Sequence, residues 1–235
     1  MKRFWDFATA ERAGDDYAIL LDGRPVHLPG GTSLRLKHAR LAHAVAAEWQ
    51  VAGGGKGGEM SFADTPLTRL AGTAQQRIAP DPWPTVDAIA RYGESDLLCY
   101  RAETPEALVR RQAEAWQPWL DWVERCHGAP LRITSGIVAV RQHRDSIAAL
   151  RAAVASLDVW ALAALGVAVP ALGSLVLGLA LAKGRIDAAA AHALGALDEL
   201  FQVEQWGEDA EAAARRRTVA DDIALAARMI DLTRQ

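Results

Sequence analysis

Along the 235-residue chain the spacing of apolar positions changes character near residue 84. Before that point, residues 17–36, YAILLDGRPVHLPGGTSLRL, set two short apolar runs on either side of a DGRP turn, with a second turn at PGG. This pattern predicts an antiparallel β meander of three strands. Asp22 and Gly23 suit the tight turn, and Pro25 suits a sheet edge or a first strand position. Residues 41–51, LAHAVAAEWQV, place Leu41, Ala44, Val45 and Trp49 on one face, with Glu48 at the same spacing. They predict one amphipathic helix, closed by the glycine cluster 53–58. After Pro66, LTRLAGTAQQRIA predicts a second helix, and the two prolines of DPWP then break the chain.

From Thr85 onward the period is helical almost throughout. Pro105 suits a helix start, whereas Pro118, inside PEALVRRQAEAWQPWLDWVERC, is expected to kink the helix or split it in two. Trp116, Trp119 and Trp122 recur every third residue, and such a stripe is expected in the core. The alternating run LRITSGIVAV predicts a short extended segment. Residues 159–182 hold no charge and are long enough to cross a bilayer. Gly166, Pro170, Gly173 and Ser174 interrupt them, which predicts two short buried helices, the second ending at Lys183 and Gly184. Residues 197–217, LDELFQVEQWGEDAEAAARRR, predict a single helix. On it Leu197, Leu200, Phe201, Glu204, Glu208, Glu211 and Arg215 form one stripe that grades from apolar through acidic to basic. Carboxylates one turn apart repel by a few tenths of a kcal/mol per pair, so these acids serve a partner or, with Glu211 and Arg215 as an i, i+4 pair, a solvated face. The expected fold is α+β: a small N-terminal α+β domain over 1–84 with the meander, then a larger multihelical domain over 85–235.

Composition narrows the functions. A net charge of −3 with interspersed signs leaves no basic field for nucleic acid. Cys99 and Cys126 lie far apart without metal-type spacing, and are expected as reduced core thiols with no metal site. GGGKGG at 53–58 lacks the order of a phosphate loop and follows a helix, so no nucleotide or other cofactor is expected there. The first residues, MKRFWDFATAER, have neither the apolar run of a signal peptide nor the acid-poor character of an import sequence. Glu204 and Glu208, with His127 or His143 as a base, are the residues a small hydrolase would use. No nucleophile motif accompanies them, and the expectation is no catalytic residue and no enzyme. A membrane-associated factor is the other alternative.

In order, KRFW (2–5), LDGRPV (21–26), LAHAVAAEW (41–49), TPLTRLAGTA (65–74), SDLLCYRAETPEALVRRQAEAWQPWLDW (95–122), GSLVLGLAL (173–181) and LDELFQVEQWGEDAEA (197–212) run the length of the chain. Together they resemble the assembly chaperones of the soluble catalytic sector of F-type ATP synthase, those that bind the alpha subunit. Thr65, where that family tends to have methionine, and Gln75-Gln76, where an acid before Arg77 is usual, are departures. The resemblance implies an ATP-independent holdase for the unassembled alpha subunit, acting as a monomer without stable membrane insertion. It also implies a bacterial cytoplasm, or the mitochondrial matrix for eukaryotic relatives. Trp206 to Glu211 is similar to the family's acidic signature, which implies partner binding by Glu199, Glu204, Trp206, Glu208, Asp209 and Glu211.

Overall fold

A computed structural model describes residues 1–136 and 139–234. Contacts divide them into two compact units. The first holds Met1–Pro82, Val159–Ala164 and the segment from Arg228 onward; the second holds Trp83–Asp158 and Leu165–Ala227.

The first unit is built on a small antiparallel sheet. Strand β1 (Ala8–Ala13) pairs along the whole of β2 (Asp16–Leu21), in a register from Ala8 opposite Leu21 to Ala13 opposite Asp16. The other edge of β2 takes β3 (Arg24–Pro25) on one half and β4 (Arg35–Leu36) on the other. The meander therefore has one strand more than the pattern predicts. ATAERA carries no large apolar side chain, and β1 exists because β2 offers it a complete ladder. At the β2–β3 turn Asp22 and Gly23 both have positive φ, +47° and +77°. The Asp22 carboxylate accepts hydrogen bonds from the Phe7 and Asp6 amides, which hold its carboxyl below its ordinary range and tie the N-terminal segment to the turn.

Helix α1 (Ala39–Val51) packs its apolar face on this sheet. Trp49 meets the fully buried Trp5 at a tilt, with ring centres 5.2 Å apart, and its indole N–H donates to the Thr68 hydroxyl at 2.9 Å. Glu48, on the same face, is buried because it caps the next helix: its carboxylate accepts from the Leu67 and Thr68 amides at 2.7 and 3.1 Å. That helix, α2 (Pro66–Thr73), continues through a π turn at Ala74–Ile78. The glycine cluster after α1 is pinned rather than free, since the buried Arg3 guanidinium donates to the Gln50, Ala52 and Gly54 carbonyls.

The second unit is helical. Helix α3 (Trp83–Ala90) leads through two 3-10 turns to β5 (Tyr100–Arg101) and then to α4 (Glu106–His127). Helix α4 does not split at Pro118. The carbonyl that loses its donor there belongs to Glu114, and both Glu114 and Pro118 lie on the exposed side of the helix, while Trp116 and Leu120 are buried. Strand β6 (Thr134–Ser135) pairs with β5 in parallel; Ile137 and Val138 of the predicted extended run lie outside the described residues. Then come α5 (Arg144–Ala155), α6 (Val159–Leu172), α7 (Leu175–Ala182), α8 (Ala188–Gly195), α9 (Leu197–Trp206) and α10 (Ala210–Thr233).

The uncharged run divides into α6 and α7 at Gly173 and Ser174, not at Pro170, which sits inside α6. A Cβ on Gly178 of α7 would overlap Val169 of α6, so the glycine permits close approach of the two helices. No described helix is long and apolar enough to cross a membrane. The N-terminus of α7 lies against a buried acid: Asp96 accepts from the Ser174 hydroxyl at 2.8 Å and from the Val176 and Leu98 amides at 2.9 and 3.1 Å. Burial nevertheless pushes its carboxyl up to about 6.

Two expectations about the core are corrected. Of the tryptophan stripe only Trp116 is fully buried, with its indole donating to the Leu194 carbonyl at 3.0 Å. Trp119 and Trp122 are half-buried and meet edge to face at 6.3 Å, because a three-residue spacing drifts around a 3.6-residue helix. Cys99 is a core thiol, pushed up to about 12 by burial, but Cys126 is exposed near the end of α4.

Candidate functional site

The acidic segment forms an elbow, not one helix. Leu197 and Phe201 bury the inner face of α9. Gly207, at φ +88°, ends it, and Asp209 begins α10 by accepting from the Ala212 amide at 2.8 Å. The predicted stripe from Leu197 to Arg215 is therefore broken between Trp206 and Ala210. A glycine followed by an aspartate N-cap outweighs a continuous periodicity.

Each acid has a separate environment. Glu204 receives the Arg111 guanidinium of α4 at 2.8 Å, and Arg111 also lies over the Phe201 ring at 5.1 Å. Hydrogen bonding from Arg111 holds the Glu204 carboxyl below its ordinary range, the reverse of what a general acid needs. Behind the same helix, Gln112 donates to Asp198 at 2.8 Å. Arg216 of α10 is buried and joins both arms of the elbow, hydrogen bonding to Glu208 at 2.8 Å and lying 3.5 Å from Glu199. Asp209 is the helix cap. Glu211 is exposed, and the expected pair with Arg215 does not form an ion pair among the described residues. Trp206 stands at the bend, 79% exposed.

Glu204 and Glu208, the two carboxylates a hydrolase would use, sit on opposite sides of Gly207, each on its own arginine. Among the described residues no group of His, Cys, Asp and Glu side chains is arranged to hold a metal ion. What the elbow offers is an exposed indole at a turn whose flanking segments are braced by Arg111 and Arg216. The acids are visible in the sequence, whereas the two arginines that hold them are not. Nothing in RRR marks Arg216 as the buried one of three, and Arg111 lies 93 residues from Glu204.

Residues 2–124 match the family described as ATP12 chaperone protein. The chain belongs to the ATP12 chaperone family. This is a family of ATP synthase assembly chaperones, and the likeness extends beyond the matched region. Atp12 from Paracoccus denitrificans, a solved structure, is 44% identical, covers 99% of this chain and 98% of its own, and superposes with a TM-score of 0.92. A putative chaperone from Agrobacterium tumefaciens, Atu1473, is 36% identical over 99% of this chain and 86% of its own, with a TM-score of 0.91. The mitochondrial protein atp12 of Schizosaccharomyces pombe is 27% identical over 89% of this chain and 75% of its own length. The ATP12 fold is thus the α+β arrangement expected from the sequence.

Proposed function

We propose that this chain is an ATP-independent holdase for the unassembled alpha subunit of F-type ATP synthase, with no catalytic activity of its own, acting as a monomer in a bacterial cytoplasm. A subunit destined for a ring exposes apolar surface that later faces its neighbour, and that surface aggregates until covered. The observation that supports the reading is the elbow of α9 and α10, where Trp206 is exposed as an apolar anchor and the exposed carboxylates of Glu199, Glu204, Glu208, Asp209 and Glu211 lie along the same stretch of chain. A central aromatic with a charged rim is the anatomy of a specific, releasable interface. Because Glu199, Glu204 and Glu208 already hold arginines of this chain, their first role is to fix the elbow. Trp206 and Glu211 are free to meet the client. Purified alpha and beta subunits, each immobilised separately, test the proposal without nucleotide: the chain is retained by alpha and not by beta. Retention by both, or by neither, overturns it.

A further inference from the structure

The first unit carries a cavity of about 340 Å³ that the acidic elbow does not use. Val26 and Leu28, just after β3, and Trp49 of α1 line it, and all three are buried. One wall is Phe62, a large apolar side chain that is 60% exposed. Its exposure is fixed by the local backbone: Ser61 and Asp64 form a capping box about the 3-10 turn that bears it, with the Ser61 amide donating to Asp64 at 2.7 Å and the Ala63 amide to the Ser61 hydroxyl at 3.1 Å. Arg69, Thr73 and Arg77 also line the cavity, at every fourth position of α2 and the π turn that extends it. Both arginines are exposed, neither forms an ion pair among the described residues, and no carboxylate lines the cavity.

An apolar cavity with a one-signed cationic rim selects a ligand that is apolar and anionic at once. The neighbouring backbone is already paired, with the Val26 amide donating to Ile19, the Leu34 amide to Val26 and the Leu28 amide to Thr32. Recognition here is therefore by side-chain insertion and ion pairing, without addition of a strand. A ligand confined to the cavity touches only the part of Phe62 that lines it, whereas a chain segment running across the mouth also covers its exposed remainder.

We propose that this groove docks a short segment of the client that inserts one bulky apolar side chain between Leu28 and Phe62 and sets a nearby Asp or Glu on Arg69 or Arg77. It is a second contact, on a different unit from the elbow and of opposite charge. It rests on the holdase reading for the identity of the client.

Fluorescein-labelled peptides tiling the alpha subunit, titrated against the full chain by anisotropy, test this. Peptides carrying Phe, Leu or Trp followed closely by Asp or Glu bind the wild type, and their binding weakens as salt screens the ion pairs. Affinity falls about tenfold or more in Arg69→Glu/Arg77→Glu and in Thr73→Trp, which fills the cavity from an exposed position. Arg69→Gln/Arg77→Gln is the milder variant should charge reversal disturb folding, and the exposed Arg110→Glu on the second unit leaves binding unchanged. Equal binding after Asp and Glu of the peptide are replaced by Asn and Gln overturns the proposal. So does unchanged binding in the groove variants, or sedimentation showing that the groove holds a second copy of this chain. Wild type that protects the alpha subunit from aggregation yet binds no such peptide overturns the groove alone. Wild type that binds the peptides without protecting the subunit overturns the holdase reading alone.

Discussion

Arg216 gives the elbow a stability signature that a solvated acidic face would lack. Its side chain is only 10% exposed and lies between Glu208 at 2.8 Å and Glu199 at 3.5 Å. Glu208→Gln removes a charge-assisted hydrogen bond and should cost about 1.5 kcal/mol. Glu199→Gln removes a longer contact with no hydrogen bond and should cost about 0.5 kcal/mol. In either single variant the buried guanidinium keeps one carboxylate. The double variant leaves it with none. Stranding a buried charge costs about 3 to 5 kcal/mol, and because both acids are half in water the lower end applies. The double variant is thus expected to lose about 3 kcal/mol, roughly 1 kcal/mol more than the singles together, beyond the few tenths within which independent sites add. Urea unfolding followed by tryptophan fluorescence reads this as a shift in midpoint at constant slope. Strict additivity, or a larger loss from Glu199→Gln than from Glu208→Gln, would refute the assignment of Arg216 as the joint of the elbow.

Further predictions come from the second unit. Burial raises Asp96 from 3.8 to about 6, so the folded chain holds a proton that the unfolded chain releases. The stability tied to that proton is present below about pH 4 and is lost as pH rises to about 6, by about 3 kcal/mol. Asp96→Asn removes this slope, and a wild-type-minus-variant difference that is flat from pH 4 to pH 7 contradicts it. Trp116→Ala should cost about 3 to 5 kcal/mol by thermal or urea unfolding and Trp119→Ala much less; equal losses would restore the stripe as core. Cys126 should react with a maleimide in the native state while Cys99 does so only on unfolding, which mass spectrometry of the labelled protein decides.

Where sequence reading succeeded and where it failed has a physical pattern. Turn chemistry was legible: Asp22-Gly23 adopts the positive φ that a tight turn needs, and Gly173-Ser174 divides α6 from α7. The same rules, applied to Gly207 and Asp209, would have broken the C-terminal helix, but a continuous apolar-to-charged stripe concealed the signal. Partners distant in sequence were not legible. Glu48 reads as a polar slip on an apolar face and is a helix cap for residues 67 and 68. Glu204 reads as a free carboxylate and is held by Arg111. Strand β1 failed for the opposite reason, since its own side chains say little and its partner strand decides its conformation.

The proposed shielding of the alpha subunit rests on the exposed indole at the elbow. Light scattering of isolated alpha subunit at aggregating temperature, without nucleotide, tests it with wild type, Trp206→Ala and Glu211→Gln at matched folded concentration. Trp206 is 79% exposed, so its replacement should leave the unfolding midpoint where it is. Wild type should suppress scattering by alpha and not by beta, Glu211→Gln should retain most of that effect, and Trp206→Ala should lose it. Suppression by Trp206→Ala equal to wild type, with the fold intact, would show that the indole is not the contact through which the client is held.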